Sequence, residues 1–123
     1  MSLNINDENK KGAITIKDLK DILKDINKDF NITFTTYDEV VLLADIWDNK
    51  HADWIGREEG EVLLIEEEAY GYAYSMNVKD CLNRLNELPE DNYIVITEYG
   101  HKYYFYNCYV IDSEEYGTVV YVE

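Results

Sequence analysis

The chain has 123 residues, which suits one domain or two small halves sharing a core. A hydrophobic fraction of 46%, with 12 tyrosines, three phenylalanines and two tryptophans, excludes a disordered chain. The net charge of −15, from 26 acidic and 11 basic residues, argues against direct binding to DNA, RNA or an anionic membrane.

Residues 1–12 read as a polar arm ahead of the fold. The stretch "AITIKDLKDILKDINKDFNITF" follows, with Ile16, Leu19, Leu23, Ile26 and Phe30 spaced three and four apart. That spacing predicts one apolar stripe on a helix. Thr15 precedes it as an N-cap, and Asp18 stands three residues on as the partner of a capping box. "NITFTTY" then predicts a strand.

"TYDEVVLLADIWDNK" supports two readings. Val40, Leu43, Ala44 and Trp47 share a helical face behind Thr36, whereas the repeat described below requires a strand, and the strand is preferred. "DNKHADWIGREE" reads as an insertion, and "GEVLLIEE" as a further strand. "EEEAYGYAYS" connects the halves, and in a strand its Tyr70, Tyr72 and Tyr74 would share one face.

"MNVKDCLNRLNELPEDNYIVI" restates the first helix and strand 62 residues later. Asn77 replaces Thr15 as the N-cap, Asp80 replaces Asp18, and Val78, Leu82, Leu85 and Leu88 form the stripe before Pro89 ends it. "EYGHKYYFYNCYVI" predicts a strand, a tight turn at Gly100 and a second strand, and "GTVVYVE" a third, with Gly117 answering Gly60. The expected fold is α+β: a duplicated α-β-β-β unit with two helices packed on antiparallel sheet or sheets. Its parts are residues 13–68, a tyrosine-rich connection at 69–75, and residues 76–123, forming one compact domain.

The stretch "NVKDCLNRLNELPEDNYIVI", with "YYFYNCYVI" and "GTVVYVE", resembles small uncharacterised α+β proteins of phages and mobile elements. The resemblance spans residues 76–123, with a weaker echo over 14–34. It implies a phage or mobile-element origin and supplies no catalytic residue.

No constellation of catalytic residues emerges. His51 and His101 fall in polar loop segments, and His101 stands too far along an extended strand from Cys108 for a dyad. Asp45, Asp48, Asn49, His51 and Asp53 offer oxygen and nitrogen donors, but without the spacing of a calcium loop or a zinc site. No enzymatic activity, cofactor or metal is expected. Cys81 and Cys108 read as buried thiols, no apolar run reaches the ~20 residues of a membrane span, and no cationic-apolar leader opens the sequence. A cytoplasmic location is the expectation.

Charge is unevenly placed. Residues 1–28 carry six lysines against five acids, whereas the remainder carries five basic against 21 acidic residues. The acids gather near turns and strand ends. One reading is solubility; the functional one is a surface imitating nucleic-acid phosphates and occupying a basic protein cleft. The residues expected to carry it are Glu58, Glu59, Glu61, Glu66, Glu67, Glu68, Asp112, Glu114 and Glu115, with Tyr70, Tyr72 and Tyr74 as anchors. The expected function is an acidic protein-binding module that inhibits a DNA- or RNA-binding host protein. Alternatives are a structural homo-oligomer subunit, paired through a tyrosine-bearing strand, and an immunity or antitoxin-type protein.

Overall fold

The computed structural model describes residues 10–54 and 58–123. Most of the expected arm, and Ile55–Arg57 of the insertion, lie outside the described residues. Among the described residues two helices, α1 (Ile16–Leu23) and α2 (Val78–Leu85), accompany seven strands. These are β1 (Ile32–Thr36), β2 (Glu39–Trp47), β3 (Glu61–Glu66), β4 (Tyr93–Glu98), β5 (His101–Tyr104), β6 (Cys108–Ser113) and β7 (Gly117–Val122). Their order in the sheet is β5-β4-β3-β2-β1-β7-β6.

This corrects the expected α+β arrangement of two helices on antiparallel sheet. The protein is mostly sheet, the helices have only eight residues each, and the sheet is mixed. β3 pairs with β4 and β1 with β7 in parallel; the other neighbours are antiparallel. The reason is the connection. Parallel neighbours require a crossover, and α2 lies on the path from β3 to β4. Alternating apolar residues do not encode strand direction.

The halves are interleaved. Ile16 N–H donates to the Asn92 carbonyl at 2.9 Å, and Val78 N–H to the Phe30 carbonyl at 2.8 Å. Ile14 N–H donates to the Phe105 carbonyl at 2.8 Å, and Met76 N–H to the Leu43 carbonyl at 2.7 Å. Ile16 and Val78 lie 62 residues apart, as do Phe30 and Asn92. The repeated sequence thus encodes matched bonds between halves, not two stacked αβββ layers. The parallel ladders pair Val62 with Ile94 and Val120 with Ile32, so Gly117 stands one residue out of step with Gly60.

Both helices stop earlier than their apolar stripes. After Leu23 the chain tightens, with Ile26 N–H bonded to the Leu23 carbonyl, and the Lys28 ammonium donates to the carbonyls of Leu23, Lys24 and Ile26. Ile26 and Phe30 still pack on the core from beyond the helix. Thr15 and Asp18 complete their capping box; Asn77 makes only the forward bond, to Asp80 N–H at 2.8 Å.

The second-half strand expected over "YYFYNCYVI" is broken between β5 and β6. Phe105 turns into the core against Phe34, with ring centroids 6.2 Å apart, while Tyr106 and Asn107 N–H both donate to the Glu123 carbonyl. The main core joins one face of β1, β3, β4 and β7 to both helices. β2 runs as the strand its repeat position requires, with a shift of register between Leu43 and Asp45. Leu43 before that bulge and Ile46 beyond it both enter the main core, and Trp47 joins Trp54, Leu63, Ile65, Val95 and Tyr104 in a second cluster. The insertion therefore delivers Trp54 to the outer face of β3 and β4.

Candidate functional site: an acidic groove

Three segments distant in sequence meet at one end of the sheet. The start of β2 supplies Glu39–Leu42, the end of β3 and its turn supply Glu66–Glu68, and the β6–β7 turn supplies Ser113–Tyr116. They enclose a groove of about 610 Å³. Backbone bonding builds it: Glu67 N–H donates to the Leu42 carbonyl at 2.8 Å, and Tyr116 N–H to Ser113 Oγ at 3.1 Å.

Six carboxylates line the groove, from Glu39, Glu66, Glu67, Glu68, Glu114 and Glu115, and among the described residues no lysine, arginine or histidine does. None of the six takes part in an ion pair among the described residues. Burial, then the charges of Glu39 and Glu68, push the Glu66 carboxyl above its ordinary value. The Tyr116 phenol is likewise raised, by burial and then by Glu115, with smaller contributions from Glu67 and Glu68. The groove is thus a concentrated, uncompensated negative field.

Backbone strain accompanies the charge. Glu68 is exposed, yet holds φ 76° and ψ −22°, where a Cβ is unfavourable. Its N–H donates to the Tyr72 carbonyl at 3.2 Å and closes the loop. Replacing Glu68 with glycine should therefore stabilise the free protein by about 1 kcal/mol. Thermal melting checks this, and an unchanged or lower midpoint would contradict it.

The structure divides the sequence-predicted residues. Glu66, Glu67, Glu68, Glu114 and Glu115 come together. Glu61 does not: it is 1% exposed, and its carboxylate accepts from Lys102 Nζ at 2.6 Å and Tyr104 Oη at 2.5 Å. Glu58 shares that lysine at 3.2 Å. Glu58 and Glu59 precede β3 and Glu61 opens it, about 17 Å of strand from Glu66. Asp112 is exposed and accepts from Thr118 Oγ1 at 2.9 Å.

The tyrosine trio does not form a shared strand face. Residues Ala69–Gly71 make a short 3-10 turn, with Tyr70 left-handed at φ 54°. Tyr72 donates to Asp45 Oδ2 and accepts from Trp47 Nε1 at 3.1 Å, while Tyr70 and Tyr74 remain exposed. Glu39 and Tyr116, absent from the expected set, belong to the groove; the turn-forming "YD" and "EEY" beside them were the available signals.

Other sequence candidates have local duties. Asp48 Oδ1 accepts from Lys50 N–H, and His51 stacks on Trp47 at 3.7 Å. His101 opens β5 on one edge of the sheet, and Cys108 opens β6 on the other. Both cysteines are free; Cys81 is buried and Cys108 half-buried, and burial pushes the Cys108 thiol up to about 12. Among the described residues, no helix is long and apolar enough to cross a membrane. Comparisons with protein-family models, curated proteins and solved structures give no match.

Proposed function

We propose that the protein is an acidic binding module that engages a basic protein surface through the groove between β2, β3 and the β6–β7 turn. The observation that carries this reading is the convergence of six carboxylates from three segments with no compensating base among the described residues. Solubility alone is met by acids scattered over a surface. A groove that collects them raises the local field, and a partner's lysines and arginines relieve it.

The partner class that best suits such a field is a protein whose own ligand is nucleic acid. Its binding cleft is basic and accepts a ridge of negative charge in place of phosphates. The module then acts as an inhibitor by occupation and needs no catalytic residue. The resemblance over residues 76–123 supports a phage or mobile-element origin. Two free thiols fit a reducing cytoplasm.

The test is a comparison of two baits in a nuclease-treated bacterial lysate, eluted in steps of salt. One is the wild-type protein; the other carries E66Q, E67Q, E68Q, E114Q and E115Q. Enrichment of a nucleic-acid-processing protein on the first bait, released at moderate salt and lost on the second, is the expected result. The same proteins on both baits would exclude the groove as the binding surface.

A further inference from the structure

A smaller cavity of about 340 Å³ adjoins the groove at the ends of β1, β3 and β4. Its floor includes Phe34, Leu64 and Ile96, residues of the main core. Tyr37 and Tyr70 stand at its rim, 46% and 67% exposed. Glu66 lines both this cavity and the acidic groove.

The two rim tyrosines are held, not loose. Tyr37 donates its N–H to Glu98 Oε1 at 2.8 Å, and its ring meets Tyr99 edge-on at 4.8 Å. The ring of Tyr70 leans on Trp47 at 4.6 Å. Both have left-handed backbones, at φ 50° and 54°. Such a backbone is disfavoured for a residue with a Cβ, so the fold retains strained, exposed aromatics at this rim. Glu66 is half-buried and unpaired among the described residues, which marks a place for a cation.

An apolar floor, two aromatic rings and one desolvated carboxylate make a specific chemical request. A guanidinium stacks flat on an aromatic ring and pairs its fork with a carboxylate, while its three-carbon stem covers apolar surface. An ammonium is a compact, strongly hydrated charge and gains less from the rings. We propose that this cavity seats an arginine side chain of the basic partner, with Glu66 as its counter-ion and Tyr37 and Tyr70 as its stacking surfaces. This rests on the groove being the partner-binding surface, and adds what it selects: arginine over lysine.

The probes are octa-arginine and octa-lysine peptides, equal in length and charge, titrated calorimetrically at low salt. The wild-type protein should bind octa-arginine about tenfold more tightly than octa-lysine, the scale of one favourable cation–π contact. Tyr70→Ala should bring the two affinities together by weakening octa-arginine alone, and Tyr70→Phe, which keeps the ring, should restore the preference. Equal affinities for the two peptides on the wild type, or a preference that survives in both Tyr70→Ala and Tyr37→Ala, would overturn the arginine seat and leave the groove standing. Failure of both peptides to bind the wild type would overturn the groove itself, and the arginine seat with it.

Discussion

Replacing Glu61 with alanine is expected to remove about 3 kcal/mol of folding stability, the scale of breaking a buried pair from one side. Glu61 is the first residue of β3, and its carboxylate is enclosed with the Lys102 ammonium and the Tyr104 hydroxyl. The Lys102 side chain is only 14% exposed. Without Glu61 it retains Glu58, whose side chain is 54% exposed and gives a weaker, screened pair. A typical domain is stable by about 5–15 kcal/mol, so the loss is a large share of the total. Urea unfolding measures it. A loss below about 1 kcal/mol would show that the network contributes little. The double variant Glu61→Leu with Lys102→Leu should recover part of the loss, because it leaves no buried charge unpaired.

The same network fixes a pH dependence. Burial pulls the Lys102 ammonium down, but the hydrogen bonds and charges of Glu61 and then Glu58 together outweigh it, so its pKa is raised. Burial, then the hydrogen bond its hydroxyl donates to Glu61, raises the Tyr104 phenol. Both groups hold their protons to higher pH when folded than when unfolded. Their contribution is complete below the unfolded values, near 10, and is lost as pH rises through the folded ones. Wild-type stability should therefore fall above about pH 10, and the fall should be shallower in Glu61→Ala.

The second large effect falls on binding. Neutralising Glu66, Glu67, Glu68, Glu114 and Glu115 together should weaken a polybasic peptide by about 100-fold at low salt. Five charges at roughly 0.6 kcal/mol each amount to about 3 kcal/mol, which corresponds to that factor. The effect should shrink as salt is added, since the Debye length contracts to about 3 Å at 1 M. Unlike Glu61→Ala, this variant should not lose stability, because these carboxylates make no ion pair among the described residues and crowd one another. For Glu66 the sign is explicit. Its folded pKa is raised, so ionisation opposes folding above that value and the opposition fades as pH falls through it. The proposed binding role and stability therefore pull in opposite directions at the groove, whereas Glu61 acts on stability.

The contrast between those acids also shows what the sequence could convey. Local signals were readable: Thr15 and Asn77 cap their helices, and strands form at "NITFTTY" and "NYIVITEY". Each depends on neighbours within a few residues. Strand order and direction depend on the path of the chain through α2, and no alternation of apolar residues carries that information. The break at Phe105 was hidden for a related reason. An aromatic residue turning inward to meet Phe34 looks, in a list of β-formers, like one more strand position.

Glu61 was misread because it stands in a run of acids, and acids in a run are ordinarily solvated. Its partner Lys102 lies 41 residues away, and nothing local announces the pairing. The groove was half legible. Glu66–Glu68 and Glu114–Glu115 stood out as clusters, but only the β2–β3 ladder and the reach of the β6–β7 turn bring them together with Glu39. The tyrosines at 70, 72 and 74 were placed on one face by an assumed strand. The left-handed backbone of Tyr70 sends them to different surroundings.

The groove is proposed as the place where a basic partner binds. Its most direct test is an amide chemical-shift map of the protein titrated with octa-arginine at low salt. The largest shifts are expected at residues 39–42, 66–68 and 113–116, saturating together and vanishing in the five-glutamine variant. Shifts centred on Glu58–Glu59 and Asp112 with the groove silent, or spread evenly over every acidic turn, would contradict it.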